Sequence, residues 1–527
     1  MIRVLLVLIL FGGVFITSGF FQEFLNRPKF FFLLITTLIL LFVCFLSRKG
    51  VQKLLDSLKS PGLYNGVAVV CLLVTVHGFL QYFGVMPSYH RAFSVTGTFE
   101  NPAGFAAVQA AMFPFVYTRC FVKENGRFLK VFSAIVSVLC AASVILAGSR
   151  TGFLAIFAAI VVVLAFSDAV ASLFKKHRWL WLLLIIMIVS SAVFLYFIKK
   201  DSADGRVFIW NRCLELIKER PLFGYGKYGF QGHYMPAQAE FFQGHPDSPY
   251  VMIADNVTTA FNEYLKLTVN YGLFGLAIAV ALLAWIVRRL FKCEKQTKVL
   301  GLSFVASVFV LCQFSYPYAY GAVWLLSLMA IVPAFVDTGN VVVIPKCTKI
   351  FISISLFVAL GFSLKTMYYE MKWTEISKRA LQGRAGRMMP YYEDVERVIG
   401  KNPLFLYNYA AELNAVNKFQ ESLDVLSLCS KSWNEYNVQT LYIDNYYKMG
   451  QFENALKACD EAYYMVPSKF APLYRKMLIY VASNDTVNAV RMASQILDKP
   501  VKIQSEELDK MISAAEGLIS LFEDEQL

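Results

Sequence analysis

Lys-Phe-Phe-Phe-Leu-Leu-Ile-Thr-Thr-Leu-Ile-Leu-Leu-Phe-Val-Cys-Phe-Leu, residues 29–46, is followed at once by Ser47-Arg48-Lys49. An α-helix needs about 20 mainly apolar residues to cross a hydrocarbon core. Inside that core each backbone polar group must be satisfied within the segment, so a long uncharged run ending in cations is a spanning helix. Ten further runs share this character, near residues 2–20, 63–83, 102–122, 128–147, 151–168, 179–198, 259–287, 299–316, 319–336 and 349–365. The first lacks both a strongly basic start and an Ala-x-Ala cleavage site, which makes it a retained span rather than a signal peptide. Only 17% of the 527 residues are charged, against about 25% in soluble domains. The deficit lies before residue 370, after which charge is frequent and no run is long enough to span.

The net charge of +13 has a topological pattern. Cations crowd into alternate connectors: Arg48 to Lys59, Arg119 to Lys130, Lys175 to Arg178, Arg288 to Lys298, and Lys346 with Lys349. The intervening short connectors hold only Arg27, Lys29, Arg91 and Arg150. Because Lys and Arg are retained on the cytoplasmic side, the N-terminus is expected inside, and the long loop 199–258 and everything after residue 370 outside. Cations placed in this way argue against nucleic-acid binding, and no zinc-finger, RRM or helix-turn-helix signature occurs. The ten cysteines contain no Cys-x-x-Cys pair, so neither a zinc site nor a disulfide framework is expected. A Cys429–Cys459 pair stays open.

Residues 446–467 read Tyr-Tyr-Lys-Met-Gly-Gln-Phe-Glu-Asn-Ala-Leu-Lys-Ala-Cys-Asp-Glu-Ala-Tyr-Tyr-Met-Val-Pro. Gly450 suits a tight turn between helices, Ala455 a close crossing, and Pro467 a stop. Phe419 and Ser422 precede Phe452 and Ala455 by 33 residues, and a weaker copy runs through Leu473–Leu497. The stretch resembles a tetratricopeptide repeat, whose period is about 34 residues and which stacks into an α-solenoid with a concave binding surface. The expected division is a membrane domain at 1–370, a linker at 371–389 and a tetratricopeptide-like domain at 390–527, all of it α-helical. Such a tail could dock a protein partner.

The external loop carries the residues that look chemical. From Asp204-Gly205, Val207, Trp210, Leu214 and Ile217 recur at helical spacing, and Pro221 ends the helix. The glycine-rich stretch Leu222-Phe-Gly-Tyr-Gly-Lys-Tyr-Gly-Phe230 follows. Arg150 is a lone charge between two spans at the outer boundary. A guanidinium there suits phosphate, which it binds bidentately, and it equally suits a snorkelling boundary residue. Glu100 and Asn101 read as polar pocket residues or as a helix cap before Pro102.

Four stretches together resemble the O-antigen ligase and Wzy-type polymerase superfamily of bacterial membrane glycan transferases. They are Gly97-Thr-Phe-Glu-Asn-Pro102; Ala147-Gly-Ser-Arg-Thr-Gly152; Arg206 to Trp210 leading into Arg220-Pro-Leu-Phe-Gly-Tyr-Gly226; and Asn262-Glu-Tyr-Leu265 leading into Tyr271-Gly-Leu-Phe-Gly-Leu276. The resemblance covers residues 1–365 and implies a GT-C-like bundle of about eleven spans in the inner membrane, with the loop and tail periplasmic. It further implies transfer of a glycan from an undecaprenyl-pyrophosphate carrier to an acceptor hydroxyl on a glycolipid or a protein. Ligase, polysaccharide polymerase and protein O-oligosaccharyltransferase activities all lie within it.

The family's two phosphate-binding arginines fall on Arg150 and Arg206, with Arg220, Tyr225, Asn262 and Tyr264 as further substrate-binding candidates. The family's usual histidine before Asn-Glu-Tyr-Leu is replaced by Phe261. Glu263, His233 and His245 are the remaining candidates for activating the acceptor, with Asp247 beside the last. No Asp-x-Asp motif occurs in the chain, so neither a metal nor a cofactor is expected. The competing readings are a lipid-glycan transporter, disfavoured by the scarcity of mid-span charges, and a non-catalytic envelope scaffold.

Overall fold

The computed structural model describes residues 1–47, 49–167, 200–336 and 344–526, with isolated positions between 168 and 199. The span expected at 179–198 and the basic residues Arg48, Lys175 and Arg178 lie outside them. Among the described residues the fold is all-helical. Helices cover the other ten apolar runs: α1 (Ile2–Phe15), α2 (Asn26–Leu46), α4 (Pro61–Tyr82), α5 (Pro102–Tyr117), α6 (Arg127–Leu146), α7 (Arg150–Ala165), α10 (Glu263–Phe291), α11 (Lys295–Phe314), α12 (Gly321–Ile331) and α13 (Lys346–Arg379). A short connecting helix, α3 (Gly50–Leu58), lies between α2 and α4. Among the described residues six helices are long and apolar enough to cross a membrane, beginning at Asn26, Pro61, Arg127, Glu263, Lys295 and Lys346. Ile2–Phe15, Arg150–Ala165 and Gly321–Phe335 are shorter apolar helices.

The chain divides into two compact units. The first is Met1–Leu195, Phe261–Glu263 and Ala277–Thr374; the second is Tyr196–Ala260, Tyr264–Leu276 and Glu375–Leu527.

In the first unit α5 is the central element, buried from Gly104 to Val116 and packed against α4, α6, α7, α11 and α12. Hydrocarbon gives helices no hydrophobic reason to associate, so close packing and interhelical hydrogen bonds do the work. Gln109 Nε2 donates to Thr75 Oγ1 at 2.7 Å on α4 and to Ser143 Oγ at 3.4 Å on α6, and Ser307 Oγ of α11 donates to Ala110 O at 2.9 Å. The connectors sort into two groups. Lys59 Nζ donates to Val336 O at 2.6 Å, and Lys59, Arg289, Lys292 and Glu294 line one cavity. Lys123, Glu124, Lys295 and Gln296 line another. The connectors with few cations meet separately, around Asn26, Glu100, Thr151, Asn262 and Tyr316.

The second unit contains α8 (Lys200–Glu219), α9 (Gly229–Gly244), α14 (Ala385–Ile399), α15 (Pro403–Ala415), α16 (Phe419–Ser430), α17 (Tyr436–Lys448), α18 (Phe452–Met465), α19 (Ala471–Ala482), α20 (Thr486–Asp498) and α21 (Glu506–Gln526). Residues 371–389, expected as a linker, are mostly helical on either side of a kink at Gln382 and Gly383. Helices α15 to α20 form three consecutive hairpins, each packed on the next, and α21 packs on α20. Asn417, Gly450 and Asn484 take positive φ of 63°, 70° and 59° at the three tight turns, 33 and 34 residues apart. Only Gly and, less readily, Asn or Asp adopt that conformation cheaply. Cys429 and Cys459 are buried free thiols, which closes the question of their pairing.

The tail and the long loop are built together. Phe208, Phe242 and Ala254 form a core completed by Phe241, Tyr250, Val251 and Tyr464 of the tail. Gln238 Nε2 donates to Met465 O at 2.6 Å, Asn256 Nδ2 to Glu435 Oε2 at 2.7 Å, and Asn434 N to Gln231 O at 3.1 Å. These contacts correct the expected face of the loop helix. α8 is already helical at Lys200, ahead of Asp204, and it buries Phe208, Ile209, Cys213 and Leu216 while Val207 and Leu214 stay exposed. The aromatic surface of α9 selects the Phe208 face, and Arg212 lies across the Phe208 and Phe241 rings at 5.6 and 4.1 Å.

Candidate functional site

In the first unit the site is built on helix ends. Asn101 caps α5, its Oδ1 accepting from Ala103 N at 2.9 Å and Gly104 N at 3.1 Å. Its Nδ2 is thereby left to donate to Tyr316 Oη at 3.0 Å and to Glu100 Oε1 at 3.3 Å. Glu100 Oε1 also accepts from Tyr320 Oη at 2.8 Å, and Oε2 accepts from Asn26 Nδ2 at 2.7 Å. Beneath them Lys29 Nζ donates to Thr98 O at 2.6 Å and Leu25 O at 2.7 Å and lies 5.0 Å from the Phe99 ring. Glu100 and Asn101 are therefore both cap and pocket residues, and the two sequence alternatives coincide.

Arg150 is the first residue of α7 and half-buried. The preceding Ser149 caps the helix by accepting from Gly152 N at 3.2 Å. Amides and dipole at that end favour an anion. Thr151 Oγ1 donates to Phe314 O at 3.4 Å, and Asn262 Nδ2 donates to Gln313 Oε1 at 3.4 Å. The C-terminal end of α11 and the two residues after it, Gln313 to Tyr316, thus touch the start of α7, the residue before α10 and the start of α5. Phe261 stands at the edge of this cluster with a φ of 50° and its ring 5.8 Å from Tyr316. Glu263 begins α10, where a carboxylate complements the helix's positive end.

In the second unit the glycine-rich stretch is a clasp. α10 is interrupted at Gly272, with φ 68° and ψ −171°. Residues 221–226 lie in the gap: Leu273 N donates to Pro221 O at 2.7 Å, Phe274 N to Leu222 O at 3.2 Å, Tyr225 N to Val269 O at 3.0 Å and Gly226 N to Asn270 O at 2.7 Å. A Cβ on Gly272 would sit 2.1 Å from Leu222 O. Asn270 secures the turn, accepting from Phe230 N at 2.9 Å and donating to Lys227 O at 3.0 Å. Two of the four motif stretches are therefore halves of one backbone lock.

That lock occupies several candidates. Tyr225 donates its hydroxyl to Glu219, stands 4.7 Å beneath Arg220 and 4.1 Å from the His233 ring. Burial, and then the neighbouring Glu219 carboxylate, push its phenol up to about 12. His233 Nδ1 donates to Gly229 O at 3.0 Å, and His245 Nδ1 to Phe241 O at 3.0 Å. Each is anchored to the helix turn before it, and His245 is exposed. Asp247 is likewise exposed. Arg206 lies within α8 and is half-buried. Tyr264 follows Glu263 in α10, and its carbonyl accepts from Thr268 Oγ1 at 2.8 Å.

Sequence reading missed Asn26, Tyr316, Tyr320 and Asn270. The signal for the two tyrosines was available, since Tyr316-Pro-Tyr-Ala-Tyr320 crowds three phenols into one short connector. Asn270 was a lone amide within an apolar run.

Residues 135–280 match the family model O-Antigen ligase (Wzy_C). No curated protein matches the chain. The matched segment contains Arg150, Arg206, the clasp and Asn262 to Tyr264, and ends before α11. Together with the six long apolar helices it points to a membrane protein of the O-antigen ligase or related polymerase type, acting in glycan transfer.

Proposed function

We propose that the chain transfers a glycan from an undecaprenyl-pyrophosphate carrier to an acceptor hydroxyl at the outer face of the inner membrane. The observation that carries this is the amide-rich end of α7 with Arg150 in its first turn, inside the matched segment and joined through Thr151 and Phe314 to the Glu100–Asn101–Tyr316 cluster. A guanidinium beside a helix N-terminus stabilises the charge that develops on a departing pyrophosphate. Neighbouring amide, phenol and carboxylate groups suit a hydroxyl-bearing acceptor. Arg206 keeps the phosphate-binding role that the resemblance gives it. Asn262, Tyr264 and Arg220 are proposed to help hold substrate, with Tyr225 acting through the lock.

Sidedness has two supports. The long loop and the tail fold as one unit, which supports placing both on one side of the membrane. The cation-rich connectors gather around Lys59 and Arg289, apart from the connectors of the Glu100 cluster. With cations held inside, the loop, the tail and the cluster are periplasmic and the N-terminus is cytoplasmic. The tail's three hairpins and their turn spacing support a tetratricopeptide-like solenoid following the membrane domain, able to dock a protein acceptor or assembly partner.

The test is reconstitution of the full chain with a lipid-linked glycan and candidate acceptors. Glycan joined to a glycolipid identifies a ligase, a lengthened glycan a polymerase, and glycosylated protein an oligosaccharyltransferase. Arg150→Ala is expected to insert normally and lose transfer. Undiminished glycan products in that variant, or movement of the donor between leaflets with no product, would sink the assignment.

A further inference from the structure

We infer that Glu100 is the group that takes the proton of the acceptor hydroxyl, filling the role left open where Phe261 stands. The inference rests on the glycan-transfer reading above.

Four observations carry it. First, position: the ring of Phe261 lies 5.8 Å from that of Tyr316, and the same Asn101 amide bridges Tyr316 Oη at 3.0 Å and Glu100 Oε1 at 3.3 Å. The carboxylate is thus one amide and one phenol away from the vacated histidine position. Second, capacity: a carboxylate offers about four acceptor sites. Oε1 uses two, for Tyr320 and Asn101, and Oε2 uses one, for Asn26. The remaining site is on Oε2, and the residue is only half-buried. Third, charge: the three donors are two amides and a phenol, so the carboxylate is held without being neutralised by a bonded cation. The nearby Lys29 ammonium donates to two backbone carbonyls instead. Fourth, shape: Phe261 and Tyr316 are partly exposed aromatic rings linked to the carboxylate through the Asn101 amide, surfaces of the kind on which the C–H face of a sugar rests. The class of acceptor that fits is therefore a saccharide hydroxyl.

The step balances without a further reagent. The acceptor O–H gives its proton to Glu100 as the acceptor oxygen bonds to the anomeric carbon. The bond from that carbon to the pyrophosphate oxygen breaks, its electron pair leaves with the polyprenyl pyrophosphate, and Glu100 passes the proton to water. Three fixed donors pre-set the carboxylate's rotamer, so little reorganisation accompanies the transfer.

The experiment uses the full chain in proteoliposomes with a lipid-linked glycan and a saccharide acceptor, comparing Glu100→Gln, Glu100→Asp, Asn26→Ala and Tyr320→Phe. Glu100→Gln keeps size and polarity but removes the base. It is expected to lower turnover by about 100-fold or more, the usual share of a general base, with the donor KM within about threefold. Glu100→Asp should recover part of that loss. Asn26→Ala and Tyr320→Phe each remove one bond from the cluster while keeping the carboxylate, and are expected to lose less than about tenfold. Glu100→Gln retaining a third or more of wild-type turnover overturns the inference. So does an equal loss in all four variants, which would make Glu100 a structural hub. If the wild-type chain forms no glycosidic product, the glycan-transfer reading itself fails, an outcome distinct from either.

Discussion

Gly272→Ala tests the clasp directly. The residue has φ 68° and ψ −171°, a combination essentially confined to glycine, so a side chain there costs about 1–3 kcal/mol in backbone strain. The added Cβ would fall 2.1 Å from Leu222 O and 2.4 Å from Phe223 N, so the 221–226 turn must move away. Moving it breaks the bonds from Leu273 N to Pro221 O and from Phe274 N to Leu222 O, each worth about 0.5–1.5 kcal/mol net. The total is about 2–6 kcal/mol, paid by the clasp rather than by the whole chain. Gly226→Ala is the control. It also has a positive φ, 91°, but nothing lies within 4 Å of its would-be Cβ, so only about 1–2 kcal/mol of strain applies. The assay is amide hydrogen exchange on the detergent-solubilised protein, following residues 221–230 and 269–274. A loss of 3 kcal/mol corresponds to about 150-fold faster exchange. The expected result is a large, local loss of protection in Gly272→Ala and a small one in Gly226→Ala. Equal protection in the two variants, or wild-type protection in Gly272→Ala, would refute the proposed lock.

Removal of residues 390–527 should do more than delete a docking module. It strips Gln238, Asn256 and Gln231 of their partners at Met465, Glu435 and Asn434 and uncovers the Phe208–Phe242 core, so segment 229–256 should become protease-sensitive and transfer should fall. A truncated chain whose loop stays protected would contradict this, and loss of transfer on truncation cannot by itself identify a scaffold. The tail should also be more stable in mild acid. Burial raises the carboxyls of Glu412, Glu435 and Glu461 above the ordinary 4.5. A folded-state pKa above the unfolded one contributes stability that is present below the unfolded value and lost as pH rises through the folded value. Asp485, lowered from 3.8 by its bonds to Asn488, titrates below the window between 4.5 and the raised values. Exchange protection in α15–α20 should therefore decline as pH rises through that window; protection that increases would refute the assignment.

Features that depend on neighbours in sequence were legible without coordinates. Apolar runs set helix positions because a helix in hydrocarbon satisfies its own backbone. Asn101-Pro102 announced a helix start because a cap needs only the following turn. The 33-residue offset of Phe419 and Phe452 marked the hairpin period, and Gly450 its turn. Where reading along the chain went astray, a distant surface had decided. The buried face of α8 was set by the aromatic rings of α9, so Phe208 rather than Val207 faces inward. The span expected at 259–287 did not show its interruption at Gly272, because the residues that fill the gap lie some 50 positions earlier.

The same division runs through the site. The amino-acid sequence by itself determined that Arg150 falls between two apolar runs, that Glu100 and Asn101 open a helix, and that Phe261 stands where the family resemblance expects a histidine. Only the tertiary structure decided that Asn26, Glu100, Asn101, Tyr316 and Tyr320 form one bonded cluster reaching Phe261, and that the tail and the loop are a single folded unit. The reason is physical. Caps and periodicities are paid for within a few residues, whereas these contacts join side chains 74 to 220 positions apart. Their meeting depends on how α5, α7, α11 and α12 pack, which no local pattern encodes.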